Sequence, residues 1–139
     1  MVVARCAGLN SRLAARRISQ FLDRELAPTG LTIAQLGLMA RIAVASDDTL
    51  GALARRGGVD QSTLSRNLRV LEAGGLVETA VVEADLRRRS VWLTEAGLRR
   101  LEAALPLWHA AGQKLGEAVP ADLAYALAEA TEALDRDDD

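Results

Sequence analysis

The sequence predicts a mainly α-helical fold that carries one small β-hairpin. Apolar residues recur every three or four positions over most of the 139 residues, which is the period of an amphipathic helix. Between residues 76 and 93 the period shortens to two, which is typical of strands. The pair Gly74-Gly75 separates the two patterns, because glycine readily ends a helix. We therefore expect one α+β domain over residues 1–139.

Composition excludes several classes of protein. Half of the residues are hydrophobic and 26% are charged, as in ordinary soluble domains. No apolar run approaches the ~20 residues that span a bilayer, so we expect a cytoplasmic protein with no membrane partner. The chain has one cysteine, Cys6, and one histidine, His109, which argues against a metal cage or a nucleophile–histidine site within one chain. We expect no enzyme, no cofactor and no metal.

The charge is unevenly distributed along the chain. The net charge is −2, which alone argues against binding nucleic acid. However, residues 50–100 hold nine arginines and six acids, whereas residues 101–139 hold two bases and nine acids. Arginine has a planar fork of donors that suits phosphate and guanine edges. The clustered arginines thus favour a nucleic-acid partner for the middle of the chain.

Two helices are expected in the first third of the chain. The first covers roughly residues 6–27 and ends at Pro28-Thr29-Gly30, because proline lacks an N–H. Thr32 is the expected N-cap of the second, about 33–45. The first helix carries an apolar stripe of Leu9, Leu13, Ile18, Phe21, Leu22 and Leu26. The second turns Leu36, Met39, Ala40 and either Ile42 or Ala43 inward.

A helix-turn-helix follows. After a turn at 47–48, a short helix is predicted at about 50–56, and glycines break it at 57–59. Asp60 then caps a helix from Gln61 to about Ala73, with Leu64, Leu68 and Leu71 on one face. Two helices joined by a glycine-containing turn of this length are typical of the motif.

The hairpin comes directly after the helix-turn-helix and is interpreted as a wing. Its predicted parts are a strand at 76–82, a charged loop at 85–88 and a strand at 89–93, with Trp92 facing the core. Thr94 should cap a helix to about Glu117 that Pro106 kinks, and Pro120 should open the last helix. The winged helix-turn-helix lobe therefore covers about 31–94, and about 1–30 and 95–139 form a helical lobe.

Three motifs in this order resemble the MarR (multiple antibiotic resistance regulator) family, and the resemblance runs from about Cys6 to Gly116. The first is DRELAPTGLT at 23–32 with Gln35 after it. The second is DQSTLSRNLRVLE at 60–72 followed by GLV at 75–77. The third is DLRRR at 85–89 followed by LTEAG at 93–97.

This resemblance implies a homodimer in which the first and last helices of the two protomers interlock. It also implies a recognition helix in the major groove of double-stranded DNA and a wing in the minor groove. Many such proteins are repressors that small, often aromatic, ligands release from a pseudo-palindromic operator. Those ligands bind between the dimerisation helices and the winged lobe.

The candidate DNA contacts follow from these motifs. On the recognition helix, glutamine can pair with adenine and arginine with guanine, while short hydroxyls reach phosphates. In the wing, Asp85 and Arg87 match the family's Asp-x-Arg motif, in which the arginine enters the minor groove. The candidates are Gln61, Ser62, Thr63, Ser65, Arg66 and Arg69 on the helix and Asp85, Arg87, Arg88 and Arg89 in the wing.

Three alternatives remain open from the sequence. Arg16, Phe21, Met39 and Trp108 are candidates for a ligand pocket, although Trp108 also fits a dimer core. Cys6 is either a packing residue or a thiol redox sensor in the same fold. The negative net charge also allows a winged-helix protein-interaction module that does not bind DNA.

Overall fold

The computed structural model describes residues 2–45, 53, 61–82 and 85–135, and it confirms the predicted fold class. In order, its helices and strands are α1 (Ala7–Glu25), α2 (Ile33–Val44), α3 (Gln61–Ala73), β1 (Val77–Val82), β2 (Asp85–Leu93), α4 (Glu95–Ala118) and α5 (Ala121–Thr131). Of the predicted short helix at 50–56, only Leu53 is described, and it is helical and 1% exposed. The rest of that helix, the turn at 47–48, the break at 57–59 and the Asp60 cap lie outside the described residues.

Local hydrogen bonds fix the corner between α1 and α2. Gly30 adopts a left-handed φ of 74°, which glycine tolerates because it has no Cβ. The Thr32 hydroxyl accepts from the Gln35 backbone N–H at 3.2 Å, and the Gln35 side chain accepts from the Thr32 N–H at 3.0 Å. This capping box confirms Thr32 as the N-cap. The Asp23 carboxylate in α1 also accepts from the Ile33 N–H at 2.8 Å, so α1 is fastened to the start of α2.

The hydrophobic core lies in the winged lobe and at its junction with α4. Leu36, Met39 and Ile42 are buried as predicted, whereas Ala43 is exposed. Leu38 is also buried, because α2 is covered on more than one side. The remaining core side chains come from the α1 end, α3, the hairpin and α4: Leu26, Leu31, Leu53, Leu64, Leu68, Leu71, Leu76, Val77, Val91, Leu101 and Ala104.

The hairpin differs from its sequence prediction in two ways. The predicted loop at 85–88 is wrong, because these residues belong to β2, and the register shifts between Val81, opposite Arg89, and Val82, opposite Asp85. The inward orientation of Trp92 is also wrong. Trp92 is 41% exposed, and its indole Nε1 donates to the Glu78 carboxylate at 3.2 Å. The core positions belong instead to Val91 and its neighbours of the same parity.

The end of α3, the start of β1 and the start of α4 are joined by one set of backbone contacts. The Leu76 N–H donates to the Leu71 carbonyl at 2.9 Å, and Gly75 has a φ of 71°, which together form a Schellman cap. The Thr94 hydroxyl caps α4 by accepting from the Gly97 N–H at 3.0 Å. The same hydroxyl donates to the Gly75 carbonyl at 2.6 Å. The helical lobe is therefore attached to the C-terminal end of α3.

The long helix α4 is continuous through Pro106, as predicted. Its inner side contributes Leu101, Ala104 and Ala111 to the interior. In the part of the chain that the structure describes, no helix combines the length and the hydropathy needed to cross a membrane.

Candidate nucleic-acid interface

Helix α3 has one apolar face and one polar face, and the structure places them as the sequence predicts. Leu64, Leu68 and Leu71 are 2%, 4% and 0% exposed and seat the helix on the core. The opposite face is in solvent: Gln61, Ser62, Arg66 and Arg69 are exposed, and Ser65 is half-buried. A helix held by leucines alone leaves this polar face available to a partner.

The exposed residues form a compact row. Ser62, Ser65, Arg66 and Arg69 are spaced by three or four residues, so they lie on the same side of α3 over about two turns. The hydroxyls stand near the N-terminal end of the helix, where free backbone N–H groups attract anions. The two guanidinium groups follow one turn later. This arrangement presents donors for phosphate and for base edges on a single surface.

Thr63 lies on a different side of the helix. It is half-buried and, with Asn67 four residues later, lines a cleft of about 300 Å³. Sequence analysis assigned Thr63 to the DNA surface and did not single out Asn67. The spacing of four residues was the available signal, because it places both side chains on the side of α3 that faces α2 and α4.

The wing carries the predicted arginines on its second strand. Arg89 is exposed and lies opposite Val81. Asp85 lies opposite Val82, so residues 86–88 are spanned by a single step of β1. The backbone of Arg87 and Arg88 therefore runs through the irregular part of the strand, where a bulge increases twist and redirects side chains. Their side chains, like that of Asp85, lie outside the described residues.

The candidate ligand-pocket residues are not gathered in one place. Met39 is 0% exposed and belongs to the core. Trp108 lines the 300 Å³ cleft, whereas Phe21 lines another of about 210 Å³ between α1 and α4. Arg16 is exposed on α1. Among clefts lined by described residues, the structure thus separates Phe21 from Trp108 and excludes Met39.

The cleft at Trp108 has a mixed lining that the sequence did not reveal. Four helices contribute to it: α1 through Ser19, α2 through Gly37 and Arg41, α3 through Thr63 and Asn67, and α4 through Trp108. Leu38, Leu53 and Leu64 supply apolar surface. Arg41 is its charged residue within the described part of the chain. The cleft therefore suits a ring with an attached anionic or hydrogen-bonding group.

Cys6 stands at the N-cap position of α1 and is partly exposed. Its carbonyl accepts from the Asn10 side-chain amide at 3.0 Å. This position is compatible with the packing interpretation and with the sensor interpretation of the sequence.

A family model described as "MarR family" matches residues 29–88, which cover α2, α3 and most of the hairpin. A search of curated proteins gives no match.

Solved structures match the chain over nearly its full length. The transcriptional regulator MosR of M. tuberculosis, in complex with DNA, is 34% identical, with a TM-score of 0.84 over 94% of this chain and 97% of that one. A mutant of E. coli MarR in complex with operator DNA is 26% identical, with a TM-score of 0.75 and 91% of each chain covered. CouR of Rhodococcus jostii RHA1, bound to p-coumaroyl-CoA, is 18% identical, with a TM-score of 0.75 over 99% and 96% of the two chains. The last of these shows likeness of fold alone.

Proposed function

Because the chain belongs to the MarR family of transcription regulators, we propose that it is a homodimeric repressor that binds a specific double-stranded DNA operator and is released by a small ligand. Regulation of transcription, and not catalysis, is the activity of this family. The operator, the dimer and the release are the parts that we add.

One observation carries the DNA-binding proposal. The polar face of α3, with Arg66 and Arg69, is exposed while its leucines hold it to the core. A helix of this kind in a winged helix-turn-helix lies in the major groove, where arginine can bind guanine through two hydrogen bonds. The relatives MosR and E. coli MarR were solved with DNA, which supports the same use of this face.

The hairpin extends the surface beyond α3. Arg89 is exposed on β2, and Arg87 lies two residues before it in the bulged part of the strand. We propose that Arg87 enters the adjacent minor groove, whose narrow A·T-rich stretches concentrate negative potential. Contacts of this type position the protein on the duplex, whereas those of α3 select the sequence.

A homodimer is supported by the exposed apolar surface of the terminal helices. Within the described protomer α1 and α5 contribute no fully buried residue. Leu9 and Leu13 are 51% and 42% exposed, and Leu123 and Leu127 are 62% and 49% exposed. Isolated short helices are marginal in water, so these helices need a partner that buries their apolar side. Two-fold symmetry then predicts half-sites about one helical turn apart on the DNA.

Release by a ligand is supported by the position of the cleft at Trp108. It touches α3 through Thr63 and Asn67 and the dimerisation helix α4 through Trp108, so an occupant contacts both lobes. We propose that a small aromatic acid binds here, with its ring on Trp108 and its anionic group on Arg41. A ligand that binds better to one inter-lobe arrangement shifts the population of DNA-competent dimers.

The experiment that tests the function is a titration of a labelled duplex from upstream of the protein's own gene, with a scrambled duplex as the control. We expect tighter binding to the upstream duplex at low and at moderate salt. Affinity should fall steeply as salt rises, because each arginine bound to a phosphate releases counterions. Equal binding to both duplexes would contradict the choice of operator. No binding even at low salt would contradict the function and favour the protein-interaction module.

A further inference from the structure

The two terminal helices carry opposite charges. From residue 2 to residue 22 the charged side chains are Arg5, Arg12, Arg16 and Arg17, with no acid among them. From residue 118 to residue 135 they are Asp122, Glu129, Glu132 and Asp135, with no base among them. One segment therefore carries four positive charges and the other four negative charges.

These charges are not paired within the protomer. The ion pairs of the described residues are Arg99–Glu95 and Lys114–Glu25, and neither involves the eight side chains of the two segments. All eight are exposed. Within the protomer α1 packs mainly on α4 and α2, and α5 mainly on the short turn Glu132–Asp135 that follows it. The opposite charges of one chain are thus left to meet those of another.

The charged residues accompany the exposed apolar side chains. On α1, Arg12 and Arg16 lie three residues after Leu9 and Leu13, so the arginines flank the leucines. On α5, Asp122 and Glu129 are two turns apart and share one side of the helix that carries Leu123 and Leu127. Each helix therefore presents apolar surface with charge of a single sign beside it.

We propose that charge pairing selects which helices meet in the homodimer, so that the basic α1 of each protomer packs against the acidic α5 of its partner. This inference rests on the proposed homodimer. Pairing α1 with α1, or α5 with α5, would bring like charges together across a partly desolvated interface, which is unfavourable. The apolar residues alone allow all three pairings, and the charges allow one.

A cleft between α1 and α4 fits the same partner helix. Its floor is apolar, formed by Ile18, Phe21 and Leu115, and two cations, Arg17 and Lys114, stand at its rim. A helix with leucines on one side and carboxylates beside them complements such a surface in shape and in charge. We therefore place the partner's α5 over this cleft.

The pairing has a consequence for the net charge of the assembled protein. In the dimer the acids of α5 are neutralised by arginines far from α3 along the chain. The arginines of α3 and of the wing then determine the potential that DNA encounters. This reconciles a net charge of −2 per chain with binding to a polyanion.

The test is the dimer dissociation constant of the full chain, measured by sedimentation without DNA at about 0.1 M and about 0.5 M NaCl. We expect the wild-type dimer to weaken as salt rises, since salt screens exposed ion pairs. An interface held by apolar contacts alone would keep its affinity. A salt-insensitive dimer would therefore overturn the inference and leave the homodimer standing.

Charge reversal makes the test specific. Arg12→Glu with Arg16→Glu should raise the dissociation constant at least about tenfold, because two arginines are lost at each of two symmetric contacts. Asp122→Arg with Glu129→Arg should do the same, and the four substitutions combined should restore most of the affinity. The matched control, Arg66→Glu with Arg69→Glu, reverses two exposed charges on α3 and should leave dimerisation unchanged. Circular dichroism verifies that each variant is folded.

The outcomes separate the inference from the function on which it rests. Rescue in the combined variant supports the pairing of α1 with α5. Loss of dimerisation in both double variants without rescue would overturn it. A wild-type chain that is monomeric at every concentration and salt would overturn the homodimer itself.

Discussion

The backbone at Gly97 lies directly against the carbonyl group of Leu76: a Cβ placed on Gly97 would be 2.0 Å from that carbonyl oxygen. Gly97 is in the first turn of α4, and Leu76 links α3 to β1. The Thr94 hydroxyl strengthens the same joint through the Gly75 carbonyl. This contact determines how closely the helical lobe approaches the end of the helix that we assign to DNA.

Replacing Gly97 tests the importance of this contact. In Gly97→Ala the new methyl group meets the backbone of Leu76 and not a flexible side chain, so either α4 or the hairpin must shift. We expect the free energy of unfolding to fall by about 1–3 kcal/mol, as for overpacked sites. Denaturant unfolding of the variant and the parent measures this difference.

The control for that substitution is Gly116→Ala in the same helix. A Cβ at Gly116 has no other atom within 4 Å in the protomer. Alanine is a better helix former than glycine, so stability should stay the same or rise by up to about 1 kcal/mol. Equal stability of the two variants would contradict the tight packing at Gly97.

The outward orientation of Trp92 predicts a fluorescence difference between the two tryptophans. In Trp108→Phe the remaining indole, Trp92, is exposed on the wing, whereas in Trp92→Phe the remaining Trp108 is half-buried beside the core. We expect acrylamide to quench the Trp108→Phe protein more strongly and its emission to lie at longer wavelength. The opposite order would mean that Trp92, and not Val91, faces the core.

The proposed ligand cleft predicts a selective effect of Arg41. An aromatic acid such as 4-hydroxybenzoate should quench Trp108 in the Trp92→Phe protein, and the corresponding amide should bind more weakly because it lacks the anionic group. Arg41→Ala should reduce affinity for the acid at least about tenfold while DNA affinity stays near that of the parent, since a charge-assisted hydrogen bond is worth about 1.5–3 kcal/mol. Identical acid binding by Arg41→Ala and the parent would remove Arg41 from the ligand site.

The sequence predicted the helices well where caps and periodicity agree. Thr32 with Gln35, and Gly74-Gly75 after Leu71, are local signals, and the helices begin or end where those signals predict. The orientation of Trp92 was not predictable in this way, because Trp92 and Val91 both fit an apolar strand position. Only the pairing of β1 with β2 decides between them.

The candidate site was predictable in part for the same reason. The polar face of α3 follows from its leucine spacing, so Arg66 and Arg69 were found from the sequence. The cleft depends on how four helices meet, and neither Arg41 nor Asn67 has a local signal that marks it as a lining residue. Met39 was misplaced in a pocket because helical periodicity does not distinguish a core position from one beside a cavity.

The central claim is that the exposed face of α3 reads the DNA sequence, and the most direct measurement compares variants on operators that each carry one substituted base pair. Arg66→Ala should lose about 1–3 kcal/mol of discrimination at one base step, whereas Arg87→Ala should weaken binding to all duplexes more evenly. Arg99→Ala, which removes an ion pair with Glu95 on α4, is the control and should bind like the parent. If Arg66→Ala and Arg87→Ala both kept the affinity and the base preferences of the parent, the DNA-reading surface would not be the one assigned to this protein.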